Sequence, residues 1–434
     1  MAYPFLVFLF IFRARRGKEE HERLRERYGY ASCKRTVGPL VWLHAASVGE
    51  LRAVVPLIES IERFGLNLVL TTGTVSSATI ARDCISERTQ HQYSPLDITC
   101  SISRFLDHWQ PDLAVFTESE IWPTTIHKLA KRKIPQVLVN ARISDRSNNR
   151  WMNCLTLANT IFSQFSQVIA QSEVDSERFC ALGAPWVVVG GNLKNDVAIP
   201  VPNLHELKRY RTMIAERPTW IAVSTHQGEE SCIAKVHHML SQHAPGILTV
   251  LVPRHPNRSN EVEREMKKKG LRIVTRTSGH LIDHDTDILL GDTIGEMGFY
   301  LRLSEIAFMG KSLKLKAKGG QNPIEPALTG SAILSGRFVH NFQETYQKFL
   351  DSGGVRFVDD EKMLAEYVLH LLKNRSDLKL MQDSARKTVS TMKGALEYSI
   401  EMLDSYIRPL RLYASLQRSH HYHSKILSSK NTSH

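Results

Sequence analysis

Seven short segments of this 434-residue chain gather the acids, cations and small residues that could do chemistry. In His44-Ala45-Ala46-Ser47-Val48-Gly49-Glu50 the small residues let a ligand approach the backbone, and a lone carboxylate in a cleft is suited to taking a proton. Glu50 at the mouth of a helix would equally serve to offset the helix dipole. Thr117-Glu118-Ser119-Glu120-Ile121-Trp122-Pro123 packs two acids and an indole together, as a reactive loop or a solvated one. Asn140-Ala141-Arg142 and Gly190-Gly191-Asn192-Leu193-Lys194 follow. Lys194 is either a partner for a departing anion or a surface lysine.

The second half holds a different set. Pro253-Arg254-His255-Pro256 offers a guanidinium, which can donate two parallel hydrogen bonds to phosphate or carboxylate. Gly291-Asp292-Thr293-Ile294-Gly295-Glu296-Met297 directs backbone N–H groups and a helix N-terminus toward a ligand. Gly319-Gly320-Gln321-Asn322-Pro323-Ile324-Glu325-Pro326 suits a sugar-and-phosphate pocket, with Glu325 accepting from ribose hydroxyls. No Walker loop, G-x-G-x-x-G after the first strand, nucleophile elbow or H-E-x-x-H is present. ATP hydrolysis, dinucleotide chemistry and zinc proteolysis are therefore disfavoured, and neither a cofactor nor a metal is expected.

The elements around these segments alternate. Leu40–His44, Leu66–Thr71, Leu113–Phe116, Gln136–Val139, Val168–Ala170 and Trp186–Val189 read as strands, separated by helical stretches such as Leu51–Phe64, Thr124–Lys131 and Glu173–Leu182. Trp220–Ser224, Leu248–Val252, Arg272–Thr275, Ile288–Leu290, Ile306–Met309 and Ala332–Leu334 repeat the rhythm. This predicts an α/β protein with two parallel sheets, each covered on both faces. Pro200-Val201-Pro202 marks the break between them. From Glu361 to about Tyr413 the pattern is helical, and the polar tail beyond Arg418 reads as disordered. Each segment named above then lies where a strand ends, the place at which parallel α/β sheets bind ligands.

Composition narrows the function. Apolar residues at 42% and charged residues at 23% exclude a mainly disordered chain and a multi-span membrane protein. A net charge of +12 calls for an anionic partner. No aromatic-basic stacking motif accompanies that charge, which argues against a nucleic-acid scaffold. The six cysteines form no C-x-x-C pair and are expected to be free thiols. Phe5 to Phe12 are all apolar, and Arg13, Arg15, Arg16 and Lys18 follow. The run is too short to span a bilayer, and its charge lies on the wrong side for a signal peptide. It reads as a monotopic attachment to an acidic membrane surface, or as a core-packing helix.

Taken in order, these segments, joined by Thr225-His226-Gln227-Gly228-Glu229-Glu230, resemble the Kdo (3-deoxy-D-manno-octulosonic acid) transferases of lipopolysaccharide synthesis, from about Arg13 to about Leu410. The resemblance implies a GT-B architecture, with two Rossmann-like domains facing a central cleft and C-terminal helices packing back. It implies transfer of Kdo from CMP-Kdo to a lipid A precursor, lipid IVA, at the cytoplasmic face of the inner membrane. Glu50 matches the family's general base, and Glu118 and Lys194 match residues of transition-state support. Pro253, Arg254, Gly295, Glu296, Met297, Asn322, Pro323, Ile324 and Glu325 match the CMP site. The domains expected are a membrane-associated segment at 1–30, an acceptor domain at 31–200, a CMP-Kdo domain at 203–395, a returning helix at 396–415 and a basic tail at 416–434. Acidic lipids are the expected membrane partner, and no nucleic acid is. Another GT-B enzyme, such as a sialic-acid-type transferase or a nucleotide-sugar epimerase, is the alternative. The Lys311–Lys318 run is richer in lysine than the family pattern, and the short apolar N-terminus also departs from it.

Overall fold

The computed structural model describes residues 19–196, 199, 201–313 and 319–430, with side chains described through Leu416. The expected membrane segment before Glu19, most of the Lys-rich run and the last four residues lie outside the described residues. The chain divides into two compact units, Met1–Val197 with Lys393–His434, and Ala198–Met392.

The first unit is a seven-stranded sheet of β1 (Leu40–Ala45), β2 (Asn67–Thr72), β3 (Thr89–Tyr93), β4 (Leu113–Thr117), β5 (Gln136–Ala141), β6 (Gln167–Ala170) and β7 (Val187–Val189). Their order is β3-β2-β1-β4-β5-β6-β7, and every pair is parallel. Successive side chains on β1 enter opposite cores. Val41 and Leu43 join the helix Val48–Arg63, while Leu40 and Trp42 join Phe105 and Trp109. Burial on both faces explains why these strands are continuous apolar runs. The exception is β3, Thr-Gln-His-Gln-Tyr, an edge strand that the sequence pattern missed.

The second unit repeats the plan with β8 (Thr219–Thr225), β9 (Leu248–Pro253), β10 (Ile273–Thr275), β11 (Ile288–Leu290), β12 (Ile306–Met309), β13 (Ala332–Ser335) and β14 (Val355–Phe357). The order is β10-β11-β9-β8-β12-β13-β14, again wholly parallel. The missed strand is once more at an edge, β14. The helix Arg375–Met392 closes this unit against β13.

The C-terminal helix Ala395–Lys430 belongs to the first unit. Ala395, Leu403, Ile407 and Ala414 enter the core beside Leu51, Val54 and Leu57. Asp196 fixes its start by accepting from the N–H of Gly394 at 2.9 Å and of Leu396 at 2.7 Å. The helix continues through Lys430, where a disordered tail from 416 was expected. Among the described residues no helix is long and apolar enough to cross a membrane.

Candidate functional site

In each sheet the strand order reverses beside its first strand, between β1 and β4 and between β8 and β12. Crevices beyond the carboxyl ends of such strands are where ligands bind. Glu50 and Glu118 lie at the first switch point.

Ser47 caps the helix Val48–Arg63, accepting from the N–H of Glu50 at 3.4 Å. The Glu50 side chain turns back. Its Oε2 accepts from the Ala46 N–H at 2.8 Å, and its Oε1 accepts from the Ser47 hydroxyl at 2.7 Å. Thr117 Oγ1, on the neighbouring strand, lies 3.1 Å from Oε2. The loop is pinned from behind, since the Gly73 N–H donates to the Ala46 carbonyl at 3.0 Å. A Cβ on Gly73 would meet that carbonyl oxygen at 2.8 Å, so only glycine fits. Burial pushes the Glu50 carboxyl above its ordinary range. The Ser47 hydroxyl works against this, the Glu120 charge adds to it, the Ala46 N–H again opposes it, and Glu118 adds a smaller rise. Glu50 is therefore both a helix-end acceptor and a partly desolvated carboxylate, and the two sequence readings are compatible.

Glu118 follows β4 in a left-handed backbone conformation, φ 51°. Its carboxylate pairs with the Lys194 ammonium. Asn140 brings the two segments together: its Oδ1 accepts from the Leu193 N–H at 3.0 Å, and its Nδ2 lies 3.4 Å from Glu118 Oε1. Asn192 caps the turn by accepting from the Lys194 N–H at 3.0 Å. Three residues separated in sequence, Glu50, Glu118 and Lys194, thus belong to one sheet edge.

Sequence reasoning gave no role to a second pair there. His44 Nε2 lies 3.2 Å from Glu120 Oε2, across 76 residues of chain. The Trp122 indole N–H donates to the same oxygen at 2.8 Å. The Trp42 indole donates to Thr71 Oγ1 at 2.9 Å, and His44 Nδ1 lies 2.8 Å from that oxygen and 3.1 Å from the Thr71 carbonyl oxygen. An ionised carboxylate can only accept, so in this contact the proton is carried by His44 Nε2. Burial raises the Glu120 carboxyl, but the His44 and Trp122 donors outweigh it and hold it below its ordinary value. The signal for this pair was present in the loop composition, but it becomes readable only once β1 and β4 are known to be neighbours.

At the second switch point the expected nucleotide-site residues share one edge. Pro253 ends β9, and Arg254 follows, its N–H donating to the Thr225 carbonyl at 3.0 Å while its side chain is exposed. Gly295, φ 84°, Glu296 and Met297 follow β11, and Met297 opens a short helix. The Glu296 carboxylate is held by Arg276 at 3.3 Å and by the Thr293 hydroxyl at 2.7 Å. Asn322, Pro323, Ile324 and Glu325 open the helix Ile324–Thr329, and Asn322 Oδ1 accepts from the Ile324 N–H at 3.1 Å. Arg254 is the exposed cation of the set, while Glu296 and Asn322 already support their own loops.

Glu229 and Glu230, at the start of the helix Glu229–Ser241, had no assigned role. Both are fully buried. Glu229 accepts from the N–H groups of His226 at 3.0 Å, Lys311 at 2.6 Å, Ser312 at 2.9 Å and Leu313 at 3.3 Å. It joins the exits of β8 and β12. Glu230 pairs with Arg258 at 3.0 Å. Burial nevertheless leaves the Glu230 carboxyl above its ordinary range, with Arg258 opposing.

Comparison with known proteins identifies the family and the fold. The family described as 3-deoxy-D-manno-octulosonic-acid transferase (kdotransferase) matches residues 22–197. A 3-deoxy-D-manno-octulosonic acid transferase of Haemophilus influenzae is 34% identical over 395 residues, covering 89% of this chain and 92% of that one. One from Rickettsia bellii is 30% identical over 408 residues, covering 93% and 96%. The fold is shared with a UDP-GlcNAc 2-epimerase of Neisseria meningitidis, at TM-score 0.57 and 13% identity over 83% of this chain and all of that one. A glycosyltransferase of Rickettsia africae gives TM-score 0.57 and 13% identity over 86% and 99%.

Proposed function

Because the chain belongs to the Kdo transferase family and is a glycosyltransferase of lipopolysaccharide synthesis, we propose that it takes Kdo from CMP-Kdo and delivers it to a hydroxyl of a lipid A precursor. Glu50 removes the proton of that hydroxyl as its oxygen bonds to the anomeric carbon of Kdo. The bond from that carbon to the phosphate oxygen breaks, and its electron pair leaves with CMP. A single displacement of this kind inverts the anomeric configuration. Lys194, oriented by Glu118, offsets negative charge in the transition state. In the second unit Pro253, Arg254, Gly295 to Met297 and Asn322 to Glu325 hold the CMP, with Arg254 on its phosphate. The apolar segment before Arg13 attaches the protein to acidic lipids at the cytoplasmic face of the inner membrane.

The observation that carries this division of labour is the setting of Glu50, whose carboxyl is held above its ordinary range at the switch point of the first sheet. A base tuned upward is better matched to a hydroxyl proton near neutral pH. The test is mass spectrometry of the lipid after incubation with CMP-Kdo and the tetra-acylated precursor, beside Glu50→Ala. Products heavier by whole Kdo units, absent with the variant, are expected. Equal product from both proteins would remove Glu50 from the role.

A further inference from the structure

The C-terminal helix carries an exposed face that the transfer reaction does not use. Its buried stripe runs through Leu403, Ile407 and Ala414. The opposite stripe, at helical spacing, presents Arg408, Leu412 and Leu416, with Arg411 and Ser415 beside it. Leu412 is 61% exposed, Tyr413 55% and Leu416 61%. Phe64, Arg408, Arg411, Leu412 and Ser415 line an open groove of about 600 Å³. The Arg411 guanidinium stacks over the Phe64 ring, 4.3 Å from its centroid. Among the described residues Arg408 meets one acid, Asp404, at 2.5 Å, and remains largely exposed.

Asp404 is the last acid in the chain. From 405 to 434 the sequence has Arg408, Arg411, Arg418, Lys425 and Lys430, with Leu, Ile and Tyr interspersed, and no Asp or Glu. Three occupants could cover such a face. The apolar segment Phe5–Phe12 is followed by Arg13, Arg15, Arg16 and Lys18, which would bring like charge against Arg408 and Arg411. A second copy docking the same face would set the arginines against themselves. An anionic bilayer supplies the opposite charge along with apolar depth for the leucines.

We propose that the face of the C-terminal helix around Arg408, Arg411, Leu412 and Leu416 lies on the surface of an anionic membrane, as a contact additional to the N-terminal segment. Basic side chains beside a membrane anchor it electrostatically, and apolar side chains enter the headgroup boundary. The transfer chemistry does not depend on this contact.

The test is co-sedimentation of the full-length protein with vesicles of phosphatidylglycerol and phosphatidylethanolamine, across a series of salt concentrations. R408Q/R411Q is expected to weaken binding by roughly five-fold per arginine removed and to flatten its salt dependence. R408K/R411K should retain binding, which separates lost charge from lost packing. L412S/L416S should weaken binding by about ten-fold with the salt slope unchanged. Kdo transfer to detergent-dispersed acceptor should match the parent in all three. Parental binding by R408Q/R411Q would overturn the proposal. So would loss of self-association in L412S/L416S without any change on vesicles, which would make a second copy the occupant.

Discussion

Glu50 and Glu229 stand in corresponding loop-to-helix junctions of two sheets of the same topology. Each lies in the first turn of the helix that follows the first strand, beside the switch point, with Glu50 third in its helix and Glu229 first. Glu50 receives one backbone N–H and two hydroxyl contacts, and its carboxyl is raised. Glu229 receives four backbone N–H groups and is fully buried. Fixed amide donors lock the loops around Glu229 together, whereas the hydroxyls at Glu50 can rotate. An acid in the same part of the fold thus serves architecture in the second unit, whereas in the first it is left to the proton transfer we propose.

The contrast is sharpest under Gln or Ala substitution. Glu50→Gln can keep the Ala46 N–H on its oxygen and offer its amide to Ser47, so thermal unfolding should hardly move. Single-turnover transfer should fall by about 10²–10⁴-fold. An unfolding midpoint that drops along with activity would erase the distinction. Glu229→Ala should do the reverse, costing about 3 kcal/mol or more by orphaning buried N–H groups, read by denaturant unfolding, with CMP affinity falling in parallel. A stable Glu229→Ala protein with lost CMP binding would instead make Glu229 a ligand contact.

Lys194→Met should lower kcat by roughly 10²-fold with KM little changed, if the cation acts on the transition state. An effect on KM alone would move it to acceptor binding. The smallest expected effect concerns pH. A base works ionised, so activity should fall on acidification through a pKa above that of an ordinary glutamate. Glu120 raises the Glu50 carboxyl by like charge, so Glu120→Gln should shift the acid limb of the kcat profile to lower pH. A limb that stays in place would assign Glu120 to holding His44 only.

Strands buried on both faces were legible because their residues are almost all apolar. Thr89–Tyr93 and Val355–Phe357 were not, since edge strands need less burial and β3 is largely polar. Acids at strand exits were legible as a group, and resemblance to a known family supplied roles for some. The pairing of His44 with Glu120 was hidden, because it depends on β1 lying next to β4. The task of Glu229 was hidden as well, because its partners are backbone amides, which have no signature in a sequence.

The discontinuity of the first unit sets an order of assembly during synthesis. The second unit is contiguous and has all of its strands once residue 392 has been made. The first unit emerges earlier but lacks Ala395, Leu403, Ile407 and Ala414, which cover the apolar side of Val48–Arg63. Until the last helix leaves the ribosome, that surface is open to chaperones and to aggregation, although most of the unit's sequence is already out. A stop codon shortly after Met392 would therefore damage the half of the protein that was made first.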